Sequence, residues 1–265
     1  LSFLANASYV KNEIKNLGNQ TGYIDKESLP TLGTVSRNEN GYPIGYFFGY
    51  KAIGVFQTQE EIDSYISPAT GKPIQPNAAP GDTKFEDLNG DGVISDDNED
   101  RTMIGKPNPD WMVGLTVAAD WNGFDLSAFF QGSFGADVFD ALRRYELAAV
   151  NYTSDALERW TGPGTSNSMP RIVLGDTPKN FRPSTLLVHD ASFLRLRNLQ
   201  VGYTLPAQLT RKAYIQRLRF YASFDNLLTI TGYKGMDPEI GSTMGIDKGV
   251  YPQARVYTFG LNLTF

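Results

Sequence analysis

The last ten residues, Val256 to Phe265, alternate without a break. Tyr257, Phe259, Leu261, Leu263 and Phe265 fall on one side, and Val256, Thr258, Gly260, Asn262 and Thr264 on the other. Successive side chains of an extended strand point to opposite faces, so this spacing predicts a strand with one apolar face and one polar or small one. The same grammar recurs upstream. Trp111, Val113, Leu115, Val117 and Ala119 alternate with Met112, Gly114, Thr116, Ala118 and Asp120. Asn122-Gly123 follows, the strongest short hairpin signal, and then Phe124, Leu126, Ala128 and Phe130 alternate with Asp125, Ser127, Phe129 and Gln131. Further strands are predicted over Ser192 to Leu205 and Leu218 to Leu228. Pro206 ends the first of these, because it has no N–H to give to a ladder. Within it, Arg195 and Arg197 take turns with Leu194 and Leu196.

The segments between these runs are long. Ala136 to Trp160 reads as helix from the spacing of Phe139, Leu142, Arg143, Glu146, Leu147 and Val150. Thr161 to Pro183 and Pro68 to Gly81 are rich in turn formers and read as loops. Transmembrane barrels place short turns on the periplasmic side and long loops outside, and binding usually sits on such loops.

An aromatic strand that ends bare at Phe265 suits a barrel wall: lipid takes its apolar face, the lumen its polar face, and a neighbouring strand its backbone. Trp111, Trp121 and Phe130 suit the aromatic girdles at the membrane surfaces. Alternation of this kind also occurs in soluble barrels and sandwiches. The chain begins at Leu1 inside an alternating segment and without a leader. The pattern yields about eight to ten strands. The expected fold is therefore all-β: the C-terminal portion of a large antiparallel transmembrane β-barrel, its long extracellular loops containing short helices.

Composition narrows the alternatives. Of 265 residues, 41% are hydrophobic and 20% charged, which excludes general disorder. No apolar run approaches the roughly 20 residues of a transmembrane helix. A net charge of −5 gives no electrostatic case for nucleic acid. The absence of cysteine excludes disulfide and thiolate chemistry. The single histidine, His189, has no nucleophile-elbow motif nearby and reads as a loop or strand-end residue.

One motif carries site chemistry. Asp87-Leu88-Asn89-Gly90-Asp91-Gly92-Val93-Ile94 matches the first eight positions of an EF-hand-type calcium loop, within an acidic stretch spanning residues 80–105. Calcium takes six to eight oxygen ligands. Asp87, Asn89 and Asp91 alternate so that a tight loop turns them inward, Gly92 permits the turn, Val93 offers its carbonyl, and Ile94 is expected to anchor the loop. Position twelve holds Asn98 instead of the bidentate glutamate. Asp96, Asp97, Glu99 and Asp100 crowd nearby, and Asp100 is the expected closing carboxylate. The plainer alternative is a solvated acidic turn.

Several blocks, in order, resemble SusC/RagA-type TonB-linked outer-membrane transporters. They are Gly41 to Asp63, Pro80 to Leu115, Glu158-Arg159-Trp160 with Pro170-Arg171, Ser192 to Pro206, Phe220 to Glu239, and the closing aromatic strand. The resemblance implies a bacterial outer-membrane location and a barrel closed around an N-terminal plug. It also implies a SusD-like surface lipoprotein as lid, and TonB-powered import of glycan or peptide oligomers. Plug, TonB box and first strands have no counterpart here, and no covalent chemistry is expected. Two rivals remain at this stage. One is a soluble calcium-containing carbohydrate-binding β-sandwich. The other is a calcium-containing glycan hydrolase, which needs two carboxylates across a cleft.

Overall fold

The computed structural model describes residues 1–30, 32–96, 99–143, 151–240 and 244–265. Its dominant element is a six-stranded antiparallel sheet: β1 (Ser2–Tyr9), β2 (Trp111–Trp121), β3 (Phe124–Phe134), β4 (Phe193–Thr204), β5 (Arg217–Thr231) and β6 (Val256–Thr264). The spatial order follows the chain order, β1 to β6, so this is a meander with β1 and β6 at its edges. Asn122 and Gly123 both have positive φ at the β2–β3 turn, the conformation that makes Asn-Gly a hairpin signal.

Register fixes the faces, since directly paired residues share one. Val117 opposes Ala128, which opposes Leu199; Tyr203 opposes Phe220, which opposes Leu261. The apolar positions of all six strands therefore meet on one face. Phe3, Trp121, Phe124, Phe220, Phe259 and Leu261 are all exposed there. The other face carries Asn6, Asp125, Gln131, Arg195, Gln200, Arg219, Ser223 and Thr258. One bulge re-phases β4: Phe129 pairs with Asn198 and Phe130 with Leu196, leaving Arg197 as the extra residue. The polar pair Arg197-Asn198 marks this shift in the sequence, because strict alternation forbids two polar neighbours.

The connections are asymmetric. Residues 122–123 and 205–216 cross one end of the sheet, while the long connections 10–110, 135–192 and 232–255 all leave from the other. These three share a core. Leu29, Val35 and Phe47 come from the first, Phe139, Ala141 and Leu187 from the second, and Ile246 from the third. Complete burial contributes about 1.5–3 kcal/mol for each large side chain. Short strands tie the same segments together: Asp137–Asp140 pairs antiparallel with Val188–Asp190 and parallel with Ile246–Asp247. The core of this chain thus lies in its loop layer, and the apolar face of its sheet is outside.

Within that layer, arginines and aromatic rings alternate. Arg37 lies over Tyr23 and Phe48, Arg101 over Phe48 and Tyr50, and Arg182 over Tyr50 and Phe85. The guanidinium-to-ring distances run from 3.6 to 5.7 Å. Each such contact adds roughly 0.5–2 kcal/mol, more as water is excluded.

Three sequence expectations need correction. The helix over Ala136 to Trp160 is absent at its start, where Asp137–Asp140 is a strand, and among the described residues of the segment only Ser154–Glu158 forms a short 3-10 helix. Phe139 is buried by pairing and core packing in place of a helical stripe, and residues 144–150 lie outside the described ones. The long strands number six among the described residues; the other strands are short pieces of the loop layer. No second sheet covers the apolar face among the described residues, which removes the sandwich. No described helix is long and apolar enough to cross a membrane.

Candidate functional site

The loop layer is held by a node that joins distant sequence blocks. Asp82, buried, accepts from Arg171 Nε at 2.6 Å and Nη2 at 3.1 Å, from Asn180 Nδ2 at 3.0 Å and from the Ala79 N–H at 2.8 Å. Trp160 lies against Gly81, and its Nε1 donates to Gln57 Oε1 at 3.1 Å. A Cβ at Gly81 would stand 2.4 Å from the Trp160 ring, so only glycine fits there. Pro80-Gly81-Asp82, Trp160 and Arg171 are thus one structural unit.

The polar face of the sheet carries a second network. Arg195 is 2% exposed; its Nε donates to Thr229 Oγ1, its Nη1 to Glu239 at 2.9 Å and its Nη2 to Asp237. Arg197, at the bulge, donates to Gln131 at 2.7 Å and through Nη2 to both Glu239 oxygens at 2.6 and 2.7 Å. Together the two arginines clamp the 232–255 connection to the wall. Burial opposes the charge on Asp237. The N–H groups of Gln253 and Glu239, with Arg195, outweigh that and hold its carboxyl below the usual carboxylate range. Near the short-turn end, Arg219 reaches across Gly202 to Asp125. A side chain at position 202 would displace both.

The acidic loop closes on its own backbone. Asp87 accepts from the N–H groups of Gly90 and Gly92, each at 2.8 Å, and both glycines have positive φ. Asn89 accepts from Asp91 N–H and donates to the Asp91 and Glu99 carboxylates; Asp91 accepts from Val93 N–H. Val93 is exposed and Ile94 only half-buried, so the apolar anchor is weak. Asp100 is fully buried and accepts from Leu88 N–H at 3.1 Å and Ser95 N–H at 3.0 Å, while Glu99 is the carboxylate that reaches Asn89. The donor chemistry suits a hard cation, but no three acidic side chains converge as ligands among the described residues. His189, read as a loop or strand-end residue, is the middle residue of the short strand Val188–Asp190, paired with Val138.

A sheet apolar on one face and charged on the other, with every long loop at one end, is the wall of a transmembrane β-barrel. Comparison with known proteins identifies which kind. No family model matches. The TonB-dependent receptor P3 of Formosa agariphila is 34% identical over 236 residues, covering 85% of this chain and 22% of the receptor. The TonB-dependent receptor SusC of Bacteroides thetaiotaomicron is 30% identical over 263 residues, covering 98% of this chain and 24% of SusC. The RagAB peptide importer in its open-open state superimposes with a TM-score of 0.72 at 27% identity, over 99% of this chain and 26% of that one. The homologues of this chain are TonB-dependent receptors, SusC among them, and its sheet is a stretch of the same outer-membrane barrel wall, not closed on itself. The chain spans about a quarter of the length of the curated relatives it matches.

Proposed function

We propose that this chain supplies wall strands and outer loops to a TonB-powered importer of oligomeric nutrients, glycan or peptide, worked with a SusD-like surface lipoprotein as lid. The observation that carries this reading is the inverted construction. The sheet leaves its apolar face to lipid, and the apolar core holds three loops together on the side where cargo arrives. The free edges of β1 and β6 need further strands, since hydrocarbon does not tolerate unpaired backbone. The chain acts by binding and passage, not by bond chemistry. Co-purification tests the proposal. Detergent extracts of outer membranes should yield this chain with a surface lipoprotein and trapped oligomers, identified by mass. Recovery from washed cells in aqueous buffer would overturn it.

For the acidic loop we propose a structural calcium clip. Asp87, Asn89, Asp91 and the Val93 carbonyl would hold the ion, with Asp100 or the adjacent Glu99 closing the set. The support is the alternation of oxygen donors around two glycines at positive φ. Calcium should protect residues 85–100 from proteolysis, and chelation should expose them. A cleavage pattern indifferent to both would remove the ion.

A further inference from the structure

A cleft of about 560 Å³ opens where the three long connections meet. Ile53, Met169, Leu186 and Val188 form its apolar lining. Its rim is charged, and the charges are unbalanced. Arg143 is already engaged by two carboxylates, with Nε 3.0 Å from Asp140 and Nη2 on Asp155. Lys234, 68% exposed, stands 3.8 Å from the same Asp155. Burial and the neighbouring Arg143 hold His189 below its ordinary value, so it adds no positive charge at neutral pH. Its Nε2 is buried and has no hydrogen-bond partner. Glu158 and Asp190 stand exposed on the rim, and neither forms an ion pair among the described residues. Asp190 only caps the Ser192 N–H at 2.8 Å. Among the described lining residues three carboxylates, Asp155, Glu158 and Asp190, face two cations, Arg143 and Lys234, and both cations are on Asp155. Among the described residues no tyrosine, phenylalanine or tryptophan lines the cleft.

We infer that this cleft receives a basic side chain of a peptide cargo, its aliphatic stem along the apolar lining of Ile53 and Leu186 and its cationic head between Glu158 and Asp190. The inference rests on the importer reading above and narrows the cargo to peptides bearing lysine or arginine. A long aliphatic cation suits both parts of the cleft, because such side chains lay their stem on apolar surface and keep the head among polar groups. Neutral glycans and acidic peptides match neither the rim nor the apolar lining.

The test uses the receptor purified from outer membranes in detergent, with three probes of equal length: a lysine-rich peptide, a glutamate-rich peptide and a neutral oligosaccharide. The lysine peptide should bind tightest, and its affinity should fall as salt rises. E158Q and D190N should each weaken it about five-fold, the factor an exposed ion pair near the top of its range carries. E158K should move preference towards the glutamate peptide, an outcome misfolding cannot produce. Equal binding of both peptides, or a preference unmoved by E158K, overturns the inference while import by the native receptor leaves the importer reading standing. Cells that import none of the three probes overturn both.

Discussion

At the scale of single residues, two positions hold the loop layer in shape. Gly49 lies where the first long connection touches the second: a Cβ there would stand 2.4 Å from the Pro183 carbonyl oxygen. That contact is backbone and cannot swing aside, and the Tyr50 N–H donates to the same oxygen at 2.8 Å. Gly49→Ala should destabilise the layer by about 1–3 kcal/mol, the usual range for overpacking. Faster proteolysis of the loops, with the sheet left intact, would register it. Asp82 is the second position. Asp82→Asn leaves Arg171 without its bidentate partner; losing one partner of a fully buried pair costs about 3–5 kcal/mol. Arg171 is 34% exposed, so water recovers part of that, and a loss of about 2 kcal/mol is expected in a denaturation midpoint. Neither role was legible in sequence. Gly81-Asp82 and Arg171 are far apart in the chain, and only the fold brings them into contact.

At the scale of elements, the bulge in β4 and the 232–255 connection form one device. Arg195 and Arg197, two apart in β4, serve the same polar face and both hold Glu239, and the bulge brings Asn198 onto that face as well. Asp237 has a depressed folded value, so the unfolded chain takes up its proton first. The clamp's contribution is complete above the ordinary carboxylate value and is lost as pH falls through the folded one. Acidification should therefore release residues 232–255 to protease before the sheet opens. Arg195→Met should give the same release at neutral pH. Asp237→Asn should flatten the acid dependence of that cleavage. The polar pair Arg197-Asn198 is the trace the bulge leaves in the sequence, visible only once the register is known. The partner carboxylates did not announce themselves, because a loop's return path to a strand leaves no periodic mark.

At the scale of the whole molecule, the sheet is read by two solvents. Phe259 and Thr258 are neighbours in β6 that face opposite ways, Phe259 outward with 75% of its surface exposed. Phe259→Arg should cost about 2–4 kcal/mol near the bilayer midplane, while Thr258→Arg should be tolerated on the lumen side. Folded receptor recovered from outer membranes would measure both, and equal recovery would argue that lipid does not meet this face. The sequence by itself determined the strands, their two faces and the Asn122-Gly123 turn, because alternation and turn chemistry are local. It also carried the family resemblance, through the order of its blocks. Only the tertiary structure decided that residues 137–140 are strand, that three loops share one core, and where the charged cleft lies. Those features depend on which distant segments meet, and a period of two along the chain holds no record of that meeting.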